Sequence, residues 1–289
     1  MARISHQFKR VVLGLQPSSP DRIMKLAAEL AGFLELDLLG LFLEDPGLRH
    51  LAGIPFAREF QPLGGGWHPI DLDRLSHDLD VAARSIERTF LAATKRLPTQ
   101  SQFQVIREPI AEAIASISRA GDIIMICEPD SPAESFAQRM QWFLQAALQS
   151  AAATMLVPSR ILRASGPIVA IAVGLDDPAI QVAAAVAIAA KEELIVVKAY
   201  EARDDVAARG LTGPSVAAAG LKVRHLSAGK RDLSDPSALT QVLGDVGERL
   251  IILTRSEVGD RVASRIAAAQ GVPVLLIEPF TATDREEVS

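Results

Sequence analysis

Cysteine, aromatic residues, basic clusters and long apolar runs are all scarce in this chain, and each scarcity removes a class of explanation. A single cysteine, Cys127, cannot form an intrachain disulfide. Its place at the end of an apolar run fits a buried thiol in a reducing compartment. Aromatic residues make up only 4% of a chain that is 49% hydrophobic. Alanine, leucine, valine and isoleucine therefore fill the core, a composition suited to buried parallel strands under closely packed helices. The formal charge of −5 is spread along the 289 residues without a basic stripe, which argues against a nucleic-acid partner. No apolar run approaches the ~18–20 residues that a membrane-spanning helix needs, and the opening MARISHQFKR has no apolar signal core. These features predict a cytoplasmic protein that does not span a membrane.

Catalytic and metal-binding signatures are equally thin. His50, His68 and His77 lack short ligand spacing and have no cysteine beside them, so they read as solvated histidines and no metal is expected. Gly64-Gly65-Gly66 follows no strand and is not a phosphate loop. No Ser-His-Asp or Cys-His set assembles, so neither an enzyme nor a cofactor is expected.

What the chain does contain is one pattern written twice. Val11–Leu43 reads as strand, small-polar turn, helix and strand, and Ile168–Tyr200 reads the same way. The turns Gln16-Pro17-Ser18-Ser19-Pro20 and Gly174-Leu175-Asp176-Asp177-Pro178 each close on a proline that starts a helix, the second 158 residues after the first. Residues 1–160 and 161–289 form the natural division into two domains.

After its second strand the first half breaks pattern. Four prolines and the triple glycine in Glu44–Ile70 forbid regular structure, yet Leu48, Leu51, Ile54, Phe56, Phe60 and Trp67 are too apolar for a freely solvated loop. The segment reads as a flap lying on the surface, with contact area for a partner as the other possibility. Then come a long helix over Asp71–Leu97, a strand at Gln102–Arg107, a helix over Pro109–Ala120 stopped by Gly121, a strand at Ile123–Cys127, a helix over Ser131–Ala151 and a strand at Thr154–Val157. The second half repeats this order, with 31 residues fewer in its middle and 8 fewer after its fourth strand. Asp204–Gly220 reads there as a shortened remnant of the long helix. Alternating strands and helices imply a parallel sheet covered on both faces, with ligands at the carboxyl ends of strands one and four of each half.

In this order of elements the chain resembles the universal stress protein family in its two-domain form. The resemblance rests on the strand and turn of Val11–Pro20, the long second helix, the fourth strand Asp122-Ile123-Ile124-Met125-Ile126 and the ending Gly271-Val272-Pro273-Val274-Leu275-Leu276-Ile277. It implies two Rossmann-like, adenine nucleotide α-hydrolase-like domains, each a five-stranded parallel sheet, packed as an internal pseudo-dimer through the fifth strands Thr154–Val157 and Val274–Ile277. Nucleotide-binding members carry an Asp after strand one and a G-x2-G-x9-G-[ST] loop after strand four. Here the Asp positions fall on Gln16 and Gly174. The glycine positions fall on Glu128, Ser131 and Gln141, and the Ser/Thr position on Trp142. A carboxylate at Glu128 would repel a triphosphate, and the second half keeps only Arg255, Ser256, Gly259 and Asp260 where the loop belongs.

The resemblance thus implies a regulatory or scaffolding protein that does not hold ATP in the family's way. Its expected contact is a protein partner at residues 46–69, and a homodimer stays compatible. The alternative is a rewired pocket for an adenine nucleotide or other metabolite, with Gln16, Ser18, Glu128, Ser131, Trp142, Asp176, Arg255 and Arg261 as candidate ligand positions. Asp176-Asp177 is explained more simply as a helix N-cap than as a phosphoacceptor. Arg255, Arg261 and Arg265 are explained more simply as an exposed charged face than as an anion site.

Overall fold

The computed structural model describes residues 8–17, 19–44, 47, 50–51, 53–61, 66–128, 145, 147, 149–160, 163, 165–174, 176–198, 220–228, 236–244, 246–255 and 260–279. The two apolar runs that open the halves become central parallel strands. β1 (Arg10–Leu15) lies between β2 (Asp37–Leu43) and β6 (Asp122–Cys127). In the same way β8 (Ile168–Ala172) lies between β9 (Leu194–Lys198) and β11 (Leu250–Thr254). The outermost strands are β5 (Ser101–Ile106) and β10 (Val223–Ser227), and the innermost are β7 (Ala153–Val157) and β12 (Val274–Ile277).

The order across the sheet is β10-β9-β8-β11-β12-β7-β6-β1-β2-β5. Every pair within a half is parallel. Among the described strands of this sheet only β12 and β7 pair antiparallel, with Leu275 opposite Met155. The two five-stranded sheets read from the sequence are therefore one continuous ten-stranded sheet. An edge strand presents a row of unpaired N–H and C=O groups, and here the two inner edges satisfy each other.

Strand side chains alternate between two apolar layers. Val11, Leu13, Leu15, Ile123, Met125 and Cys127 face one layer, while Val12, Ile124 and Ile126 face the other. The first layer is covered by α1 (Asp21–Leu34), α2 (Leu72–Thr94) and α4 (Pro178–Ala190). The second is covered by α3 (Ile110–Ile117), α5 (Pro236–Leu243) and α6 (Asp260–Gln270). The helix α4 is apolar on all sides because it is buried on most of them. Beneath it lies β8, and α1 of the other half packs beside it. Among the described residues no helix is long and apolar enough to cross a membrane.

Both opening helices end on a residue with left-handed backbone, Glu35 (φ 54°) and Lys191 (φ 57°), each of whose N–H groups caps a carbonyl of the last turn. Neither is glycine, so this shared feature leaves no mark in the residue pattern. The helix α3 stops at Ile117, where Ser118 turns extended, and Gly121 is not its terminator. The segment after β2 is also more regular than its prolines suggest. β3 (Arg58–Gln61) and β4 (Gly66–Pro69) form an antiparallel hairpin with Phe60 opposite Trp67. Pro69 closes β4, so it costs no inner ladder bond. The helices expected over Ser131–Ala151 and Asp204–Gly220 fall largely outside the described residues.

Gly40 marks a close approach in the first half. A Cβ built there would lie 2.9 Å from the Phe90 ring and 3.2 Å from Phe103, and those two rings pack 5.8 Å apart. Gly40→Ala should force both rings to shift and lower stability by about 1–3 kcal/mol, read as a lower urea midpoint at unchanged slope.

Candidate functional site

In a doubly wound sheet the ligand crevice lies beyond the carboxyl ends of the strands where their order reverses. In this chain those places follow β1 with β6, and β8 with β11. The second is spanned by a hydrogen-bonded contact of its own residues. Asp177, 6% exposed, accepts N–H bonds from Val173 at 2.9 Å and Ala179 at 2.9 Å, and the Thr254 hydroxyl donates to it at 2.5 Å. The carboxylate caps α4 and ties the end of β11 to the start of that helix. Asp177 is thus the cap its place ahead of Pro178 predicts, and its partner Thr254 stands at the carboxyl end of the fourth strand of the second half, where the sequence places the crevice. Asp176 is exposed.

Arg255 corrects its own simplest reading. It is not on an exposed charged face, since its side chain is 13% exposed. The guanidinium pairs with Glu278 and reaches across to the other half. There it donates to the carbonyls of Ser150 at 3.3 Å and Ala152 at 3.2 Å and to the Thr154 hydroxyl at 2.8 Å. A guanidinium spent on four acceptors joins the halves of the molecule and has little left for a ligand. Arg261 lies in α6, and its side chain is outside the described residues. Arg265 is exposed.

In the first half, the crevice is lined by Gln16 and Glu128, which follow neighbouring strands. The Gln16 N–H donates to the Ser19 hydroxyl at 2.8 Å, and its carbonyl accepts from the Ser19 N–H at 3.0 Å, so the turn is held by its own residues. Ser18, Ser131 and Trp142 lie outside the described residues. Glu128 is half-buried. Desolvation pushes its carboxyl above the usual range, partly offset by the Ser159 N–H that donates to it. The sign of the linkage follows: the folded state holds this proton more tightly than the unfolded chain. Glu128 therefore imposes a penalty that is absent in acid and grows as pH rises through the folded pKa. Glu128→Gln should be more stable than the natural chain at pH 7 and indistinguishable from it below about pH 4, as read by urea midpoints across pH. A gain at pH 4 as large as that at pH 7 would show that burial of the charge is not the cause.

The fold and its two crevices define a doubly wound α/β protein in which one strand order occurs twice. No protein-family model matches the sequence, and no curated protein matches it. Solved structures do. A universal stress protein from Archaeoglobus fulgidus aligns over 93% of this chain and 96% of its own at 15% identity, with a TM-score of 0.58. A putative universal stress protein from Pseudomonas aeruginosa aligns over 95% of both chains at 16% identity, with a TM-score of 0.51. The cytoplasmic domain of a prokaryotic cation chloride cotransporter covers 93% of this chain and 95% of its own at 11% identity, with a TM-score of 0.50. The chain has the fold of the universal stress proteins.

Proposed function

We propose that the chain is a cytoplasmic, two-domain, stress-protein-like regulatory or scaffolding protein that catalyses no reaction and engages a partner protein through residues 46–69. The observation that carries this reading is the set of exposed aromatic side chains on the hairpin and in the turn before it. Phe56 is 88% exposed, Trp67 63% and Phe60 56%. The last two rings pack against each other at 5.5 Å instead of against the core. A group of exposed aromatic side chains of this kind marks an interaction surface, and aromatic residues are the commonest anchors of such surfaces. The hairpin is held in place by an ion pair from Arg74 of α2 to Glu59, on the other side of β3.

The same reading holds that ATP is not bound in the family's usual way. Three features support it: the Asp177–Thr254 contact, the commitment of Arg255, and the carboxylate of Glu128 where the family's first loop glycine would stand. The cation chloride cotransporter domain supplies a precedent for this fold as part of a larger protein. The test uses full-length protein as bait. Phe60→Ser with Trp67→Ser should cut recovery of its bound partner at least tenfold while shifting the urea midpoint little, because both rings are exposed. Undiminished recovery would sink the docking role. Thermal scans with ATP, ADP and AMP check the other half. A nucleotide present at a hundredfold its Kd would add about 2.7 kcal/mol of stability, and such a gain would favour the metabolite-binding alternative.

A further inference from the structure

Away from both crevices, a cavity of about 400 Å3 opens where the halves meet, between α1 of the first and α4 of the second. Its volume falls within the roughly 300–1,000 Å3 typical of small-molecule sites. The wall is apolar, built by Leu26, Leu30 and Phe33 of α1, Met155 of β7 and Val186 of α4. Its charged lining is mostly cationic: Arg22, Lys25, Arg163 and Arg249 stand against Glu29, with the carboxylate of Glu248 behind Arg163. This is a local positive excess in a chain of net charge −5.

Two of these cations are pre-positioned. Arg249 donates to Glu29 at 3.0 Å and lies over the Phe33 ring at 5.2 Å. Arg163 lies 3.7 Å from the carboxylate of Glu248, which is fully buried and has no hydrogen bond on either oxygen. A buried carboxylate with no other partner among the described residues is a strong reason for an otherwise half-exposed arginine to stay where it is. Arg22 donates to the Ser159 carbonyl. Lys25 is exposed and makes no ion pair with any described carboxylate.

We infer that this cavity binds a fatty-acid-like amphiphile, with its alkyl chain along the apolar wall and its carboxylate among Lys25, Arg22 and Arg163. A nucleotide fits the same lining poorly. Phe33 is the one aromatic side chain in the described lining, and Arg249 already takes one of its faces, which leaves little aromatic surface for a base. An alkyl tail needs only apolar area, and an anionic head matches the excess of cations. Because the lining comes from both halves, an occupant would also act as a tie between them. The proposal is independent of the hairpin, which contributes no residue to the cavity.

Laurate, kept below the concentration at which it aggregates, is the probe, and displacement of a fluorescent fatty acid is the readout on full-length protein. Laurate should compete saturably, 1-dodecanol at least tenfold more weakly, and acetate not at all in the millimolar range. Lys25→Glu, on an exposed side chain, should weaken laurate at least tenfold. Ala190→Trp, which fills the cavity from α4, should abolish binding with an unchanged circular dichroism spectrum. Equal competition by laurate and 1-dodecanol would overturn head-group recognition, and competition by acetate would overturn the role of the tail. Unaltered laurate binding in Lys25→Glu, or in a folded Ala190→Trp, would place the ligand elsewhere and overturn the proposal.

Discussion

Asp122→Ala should lower folding stability by about 3–5 kcal/mol, the loss expected when one partner of a buried ion pair is removed. Asp122 is 2% exposed at the start of β6. Its two oxygens receive Nε of Arg10 at 3.1 Å and Nη2 of Arg10 at 2.6 Å, a fork-to-fork arrangement. It also accepts the Arg119 N–H at 2.9 Å. Without the carboxylate, Arg10 is left as a largely buried cation with only the Ile117 carbonyl, at 2.9 Å, to hold it. The check is a double-mutant cycle in urea. Arg10→Met combined with Asp122→Ala should be less damaging than the sum of the single changes, since removing both leaves no stranded charge. A single-variant loss below about 1 kcal/mol would mean the pair behaves as an ordinary surface salt bridge.

Arg255→Ala is the second large effect. It strips a guanidinium from Glu278 and from three acceptors of the first half. A loss of about 2–4 kcal/mol follows from removing charge-assisted bonds at a mostly buried site. Arg255→Lys should recover only part, because an ammonium cannot present a planar fork to acceptors on both sides of the junction. The more telling change is in cooperativity. Both tryptophans belong to the first half of the sequence, so fluorescence follows that half while circular dichroism follows the whole chain. The two unfolding curves should coincide in the natural protein and separate in Arg255→Ala. Coincident curves in the variant would assign the junction's strength to the β12–β7 ladder, the packing of α1 on α4 and the Arg249–Glu29 pair instead.

These two arginines illustrate where sequence reading succeeds and where it stops. The strands were legible because a strand buried on both faces must be an unbroken apolar run, as in Ile123–Cys127 and Leu250–Thr254. The Asp177 cap was legible because a cap and its helix are neighbours in sequence. The Arg255 clasp was not, since its partners lie some hundred residues back and nothing local distinguishes it from a solvated arginine. The hairpin was hidden by its own turn chemistry. Prolines and glycines that forbid a central strand are tolerated in a short isolated ribbon. The cavity between α1 and α4 left no trace, because its lining exists only once the two halves are set side by side. Of the two crevices, the second could be followed to the contact that spans it, while the first was legible only as far as Gln16 and Glu128.

Glu128 and Arg255 occupy the same slot in their respective halves. Each backbone N–H bonds the last residue of the neighbouring strand, Val157 in one case and Ile277 in the other, both at 2.8 Å. One slot therefore carries an acid and its counterpart a base. By the same correspondence, Val274 stands where Thr154 offers its hydroxyl to Arg255. A pair of like halves would therefore lack the bond from Arg255 to the Thr154 hydroxyl. The difference at these two pairs of positions makes the halves, alike in strand order, a left and a right glove at their junction.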